Sequence, residues 1–147
     1  MPHLRLIDTP QNARPTTPPH PDKGAPRFSP SEVQAMQRAM INLGQRWALT
    51  DDQLSTLLGE ISVRTLQRWK HRQYGRPNID TSARMSNLLG IHKALRLLFK
   101  DSARGYAWIK RPNETFNGAT ALDVMLGGQL TDLMRVRRYL DSMRAPW

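Results

Sequence analysis

Hydrophobic positions recur at helical spacing from residue 33 to the end of the chain, and no sustained period-two alternation interrupts them. Ser29, Pro30, Ser31 and Glu32 open the first such stretch. Ser29 is placed to cap, proline stands at the first helical position, and Glu32 completes a capping-box pattern. The helix this predicts ends near Trp47 and gathers Val33, Met36, Ala39, Met40 and Leu43 on one face. Thr50 and Gln53 repeat the capping pattern, with Asp51 and Asp52 where the positive end of a helix dipole favours acids. Leu54, Leu57 and Leu58 then form an i, i+3, i+4 apolar face, and Gly59 supplies a stop. Ser62 caps a second short helix, with Leu66 and Trp69 turned inward. Gly75 and Pro77 make residues 73–78 a loop. A long helix is predicted over residues 81–99, its seam formed by Met85, Leu88, Leu89, His92, Leu95, Leu98 and Phe99. Short helices follow near 103–109 and over 121–126, the latter capped by Thr120 with Asp123 at the third position. The last helix spans about 129–143 and sets Leu130, Leu133, Met134, Leu140 and Met143 on one side. The fold class is all-α.

Charge distinguishes the two short helices from one another. From Ser62 to Arg76 there are five basic residues (Arg64, Arg68, Lys70, Arg72 and Arg76) and no acidic one, whereas the preceding helix opens on two aspartates. Two amphipathic helices about a tight break, the second strongly basic outward, form the helix-turn-helix pattern, in which the second helix enters the DNA major groove. Arg64, Thr65, Gln67 and Arg68 are the candidates for base edges, and Lys70, Arg72 and Arg76 for phosphates. The competing reading for each basic residue is a solvated face.

Composition narrows the setting. Cysteine is absent from the 147 residues, which excludes disulfides and thiolate metal sites and suits a reducing cytoplasm. No apolar run approaches the roughly 20 residues a membrane span needs, and the first residues lack the apolar core of a secretory signal. A cytoplasmic location is expected. Eight of the 11 prolines fall within the first 30 residues, so segment 1–27 is expected to be a disordered, proline-rich arm, either a solvated tail or a strand that follows DNA or a partner. Of the net charge of +10, residues 1–27 contribute +2, residues 28–82 another +2, and residues 83–147 the remaining +6. DNA binding by the basic helix leaves that last excess unexplained.

The carboxy-terminal block supplies a more specific signal. Pro112 and Asn113 stop one helix, Asn117 and Gly118 make a tight turn, and Gly127 and Gly128 end another helix with at least one glycine at positive φ. Trp108, Pro112, Asn113, Phe116, Asn117, Gly118, Ala121, Leu122, Asp123, Gly127, Gly128 and the run Val136, Arg137, Arg138, Tyr139, Leu140 occur in this order. In that order and spacing the block closely resembles the toxin-binding domain of the Xre/MbcA/ParS family of bacterial antitoxins. Ala121 stands where many members have proline, and the proline-rich arm is not part of the shared pattern.

The resemblance implies an Xre-like helix-turn-helix domain over residues 28–82 followed by a small helical toxin-binding domain over residues 83–147. It further implies a cognate RES-type toxin that consumes NAD or uses it to modify a target, neutralised by direct binding. Operator DNA is the second implied partner, in a homodimer or a toxin–antitoxin hetero-oligomer. The residues carried over as toxin contacts are Trp108, Pro112, Asn113, Phe116, Arg137, Tyr139 and Leu140, joined by Arg144 and Trp147 at the basic end of the chain. Trp147 either anchors in the toxin or packs on its own domain. Deleting residues 140–147 is expected to spare DNA binding and abolish neutralisation.

No pattern of catalytic residues competes with this. The four histidines are scattered, no His/carboxylate spacing suggests a metal, and Ser, Thr and Asp occupy cap positions. Neither catalysis nor a cofactor is expected. The alternative from another class is a stand-alone dimeric helix-turn-helix transcriptional regulator, which should bury Trp108, Phe116 and Trp147 against a second copy, whereas an antitoxin should leave them exposed as an apolar patch.

Overall fold

Side-chain caps fix where the helices of this chain begin. The computed structural model describes residues 28–144; segment 1–27 and residues 145–147, Trp147 among them, lie outside the described residues. The described residues form seven α-helices and one 3₁₀ turn. Helix α1 (Pro30–Arg46) starts where Ser29 Oγ accepts the Glu32 N–H at 3.2 Å. The reciprocal half of the expected box does not form, because the Glu32 carboxylate takes the Ser29 hydroxyl instead, at 3.0 Å. Helix α2 (Asp51–Leu57) has the full box: Thr50 Oγ1 accepts from the Gln53 N–H at 3.1 Å, and the Gln53 side chain accepts from the Thr50 N–H at 3.0 Å. Ser62 caps α3 (Val63–Lys70) and Asn78 caps α4 (Ile79–Leu98), each accepting the N–H three residues on. Asn78 starts α4 two residues earlier than the apolar seam alone indicates, because capping chemistry rather than periodicity sets the boundary.

Helices α5 (Ser102–Trp108), α6 (Ala121–Met125) and α7 (Leu130–Arg144) complete the chain, with the 3₁₀ turn at Glu114–Phe116. The Thr120–Asp123 box at the start of α6 forms in full. Helix α4 is the centre of the molecule: it packs most extensively on α7 and also on α1 and α5. Arg84, early in α4, meets Gly128 just ahead of α7, while Asn87 meets Arg137 midway along α7, so the two helices run in the same sense. A parallel pair cannot be joined by a tight turn, and the segment through α5, the 3₁₀ turn and α6 makes the return.

One continuous core holds these elements. Met40, Leu43 and Trp47 of the first helix and its end, Leu54, Leu57, Leu58, Leu66 and Trp69 of the helix pair, and Met85, Leu88, Ile91 and Leu95 of α4 are all buried. From α7 the buried residues are Leu133, Val136 and Leu140; Met143, expected on the same face, is 47% exposed. A heptad-like step from Leu133 through Val136 to Leu140 follows the α4 surface, and Met143 lies beyond it.

Two seams join the earlier helices to the later ones. In one, Arg84 (7% exposed) donates from Nε to Asp80 Oδ2 at 2.8 Å and from one terminal nitrogen to the Gly128 carbonyl at 2.8 Å. A side chain at Gly59, which lies at φ +90°, would collide with this Arg84–Asp80 pair. In the other, the His92 ring stacks on Tyr106 at 5.7 Å and tilts against Trp47 at 6.3 Å. Burial, then the charges of Arg46 and Arg96, hold the His92 imidazole below its ordinary pKa. His92 is thus a packed seam residue. Each half of the chain therefore buries part of the other, and the expected 82/83 boundary falls within α4 itself.

Candidate functional site

The helix pair is built as a rigid corner. Ser55 Oγ donates to the Ile61 carbonyl across the turn, the Glu60 N–H reaches the Ser55 carbonyl at 2.8 Å, and Thr81 Oγ1 donates to the Leu58 carbonyl at 3.2 Å. Gly59 and Glu60 both take positive φ, which turns the chain sharply enough for α3 to cross α2. Leu66 and Trp69 then seat α3 on the core.

The outer face of α3 divides into tied and untied groups. Lys70 Nζ lies 2.9 and 3.0 Å from the two Asp51 carboxylate oxygens, and Gln67 Nε2 donates to the same carboxylate at 3.1 Å. Asp51 therefore clamps the start of α2 to the end of α3 and occupies two side chains expected on DNA. Thr65 shares its hydroxyl with the Ser62 cap at 2.9 Å. Arg64, Arg68, Arg72 and Arg76 are exposed, and among the described residues none of them pairs with a carboxylate. These four guanidinium groups are the cationic face the helix pair presents. Arg72 itself sits at φ +62° just past His71, the C-cap of α3. Gln73 N–H closes the helix end on the Arg68 carbonyl at 2.8 Å, the geometry glycine usually serves.

In the carboxy-terminal block, the motif aromatics contact one another. The Trp108 and Tyr139 rings stack at 6.1 Å, and Phe116 meets both edge-on, at 6.5 and 5.5 Å. Arg135 lies over the Phe116 ring, 5.3 Å from its centre, a cation–π contact that no local sequence spacing announces. Phe116 is only 4% exposed, so the broad exposed patch expected of Trp108 and Phe116 does not exist. Trp108 and Tyr139 are half-buried. The larger exposed apolar side chains are Val63, Ile79, Leu97 and Met143.

Other positions expected to touch a toxin divide similarly. Asn113 caps the 3₁₀ turn, accepting the Thr115 N–H at 2.9 Å, and Pro112 forms a lone antiparallel bridge with Thr120. Leu140 is fully buried. Arg137 crosses to α4, where it donates to Asn87 at 3.4 Å and overlies Gly90 so closely that a Cβ there would stand 2.6 Å from the guanidinium. Arg144, exposed, lies 3.6 Å from Asp141. The motif thus mainly builds a small scaffold, while exposed Arg135, Arg138, Arg144 and Pro112, with half-buried Trp108 and Tyr139, form its outer surface.

No group of three or more His, Cys, Asp or Glu side chains able to hold a metal occurs among the described residues, and no described helix is long and apolar enough to cross a membrane.

Comparison with known proteins gives this geometry its family. The antitoxin Xre-like helix-turn-helix domain matches residues 25–90, and the antitoxin Xre/MbcA/ParS C-terminal toxin-binding domain matches residues 94–145. An uncharacterized protein, y4oB, of Sinorhizobium fredii (strain NBRC 101917 / NGR234) is 42% identical over 120 residues, spanning 82% of this chain and 92% of the relative. The corner at Gly59, the basic face of α3 and the aromatic scaffold around Phe116 therefore belong to a member of the Xre/MbcA/ParS antitoxin family, an Xre-like helix-turn-helix domain followed by a C-terminal toxin-binding domain.

Proposed function

We propose that this antitoxin neutralises a RES-type, NAD-consuming toxin by direct binding and represses its own operon through α2 and α3. The observation that carries the toxin half is the match of residues 94–145 to a toxin-binding domain, whose outer surface is basic. Residues 83–147 hold the largest part of the chain's positive charge, +6, and Arg135, Arg138 and Arg144 are exposed on α7. A pocket that receives the pyrophosphate of NAD is shaped for anions, and guanidinium groups suit such a pocket by paired, planar hydrogen bonding. The candidate toxin surface is accordingly Arg135, Arg138 and Arg144 with half-buried Trp108 and Tyr139 and with Pro112; Trp147 stands three residues after Arg144 in the chain.

Because Leu140 is buried, truncation from residue 140 removes core as well as surface, and point substitutions test the reading more cleanly. Arg138→Glu and Arg144→Glu change exposed groups and should leave the fold intact while abolishing rescue of cells expressing the toxin. Rescue at wild-type level by the double variant, with wild-type thermal stability, would remove the basic face from the toxin interface. For the DNA half, the supporting features are the rigid corner and the four unpaired guanidinium groups. A gel-shift titration on the DNA upstream of the gene tests it, and absence of binding even at low salt would leave the helix pair as scaffold alone.

A further inference from the structure

Beside α3 lies a groove of about 660 Å³, formed by the flank of α3 that carries Thr65, Arg68 and Trp69, the 73–78 loop and the start of α4. Arg68 and Arg76 stand on it, Thr65 and Gln73 add a hydroxyl and an amide, and Tyr74 and Pro77 supply apolar wall. No acidic side chain lines it. The walls are held in place rather than left to the loop. Fully buried Gln37 donates from Nε2 to the Tyr74 carbonyl at 2.7 Å, and Asn78 caps α4 through the Thr81 N–H at 2.8 Å.

We propose that this groove seats one DNA backbone unit, the phosphate between Arg68 and Arg76 and its deoxyribose against Tyr74 and Pro77. The inference rests on the reading of α2 and α3 as a DNA-binding element. A strand of backbone borders the major groove wherever a recognition helix enters it, so a cationic trough flanking α3 lies where that strand passes. The trough is larger than a bare phosphate and mixes guanidinium groups with apolar wall, as a sugar–phosphate unit requires. Both guanidinium groups are free of carboxylates among the described residues, so no internal ion pair has to break on binding. Arg68 is then a backbone clamp instead of a base reader. With Gln67 and Lys70 held by Asp51, base reading passes to the amino-terminal end of α3, to Val63 and Arg64, both exposed.

The test uses the full chain on two duplexes of equal length, one carrying the DNA upstream of its gene and one scrambled, across a salt series. Arg68→Ala and Arg76→Ala should each weaken both duplexes roughly tenfold, alike. Each should also lower the slope of log affinity against log salt by about 0.9, the value for one phosphate contact. A scan that replaces single phosphates of the upstream duplex by uncharged methylphosphonates should find one position that weakens the wild-type chain and leaves Arg68→Ala unaffected. Loss confined to the upstream duplex, with the salt slope unchanged, would make Arg68 a base reader and overturn the proposal while leaving DNA binding intact. So would a scan in which every position affects wild type and variant equally. A wild-type chain that binds neither duplex at low salt would overturn the underlying reading as well.

Discussion

Arg84→Met probes the join between the helix pair and the toxin-binding scaffold, because this one guanidinium spans from Asp80 to the Gly128 turn. Methionine keeps the apolar stem and removes the fork. The hydrogen bond to the Gly128 carbonyl involves a charged donor, for which about 1.5–3 kcal/mol is typical. The Asp80 pair adds little, since that carboxylate is 52% exposed and solvent screens it; half a kcal/mol is about the expected scale. Against these stands the third guanidinium nitrogen, buried with no hydrogen-bond partner among the described residues, whose removal recovers about 1 kcal/mol or more. The net cost is about 1–2 kcal/mol, a fall in melting temperature of roughly 4–8 °C for a chain of this size. Arg84→Lys should lose much of the same stability, because one ammonium cannot hold both acceptors in fixed geometry. Thermal and urea unfolding give the magnitude, and amide exchange should quicken at Gly59 and Gly128 before it does so in α1. Wild-type stability in the methionine variant would refute the reasoning, as would exchange that rises uniformly along the chain.

Three further outcomes follow from other parts of the fold. Ala48 closes α1 at φ +51°, where a Cβ is strained, so Ala48→Gly should stabilise the protein by about 1 kcal/mol in urea unfolding; destabilisation would show that the backbone there is relaxed with alanine. His92 has its folded pKa lowered from 6.5, so the unfolded chain takes up the proton first. Its contribution to stability is complete above 6.5 and is lost as pH falls through the lowered folded value, and His92→Phe should flatten that loss in melting temperature below pH 6.5. Asp51→Asn removes the carboxylate that holds Lys70; stability should fall by about 0.5 kcal/mol, while DNA affinity at low salt rises and its salt slope steepens. Unchanged affinity in that variant would place Lys70 away from phosphate even when released.

Local chemistry made most of the architecture legible in the sequence. Thr50 with Gln53, Ser62, and Thr120 with Asp123 start their helices as their side chains dictate, because a cap is an interaction within four residues. Gly59 and Gly128 likewise take the positive φ their positions require. What the sequence concealed was long-range. Asp51 lies 16 residues from Gln67 and 19 from Lys70, and only the crossing of α2 and α3 brings that carboxylate onto the face expected to meet DNA. Phe116 and Arg135 meet through the return of the chain onto α7, and Arg84 bridges to a carbonyl 44 residues away. Exposure of Met143 has a similar origin, since it shares the Val136 stripe of α7 and only the extent of the α4 surface decides where burial of that stripe ends. The motif carried the family correctly, yet most of its residues build the scaffold. Aromatic and leucine positions that recur in a family pattern report packing as readily as contact, and the sequence alone does not separate the two.

The central claim is that the basic outer face of α7 and its neighbours silence a NAD-consuming partner. Co-expressing the chain with the product of the neighbouring open reading frame, capturing it by affinity and measuring cellular NAD tests that claim most directly. The expected result is a stable complex, with NAD preserved by the wild-type chain and falling when the chain is absent or carries Arg138→Glu and Arg144→Glu. No complex, with NAD unchanged whether or not this chain is present, would contradict the claim and leave a helix-turn-helix regulator whose operator is the next object of study.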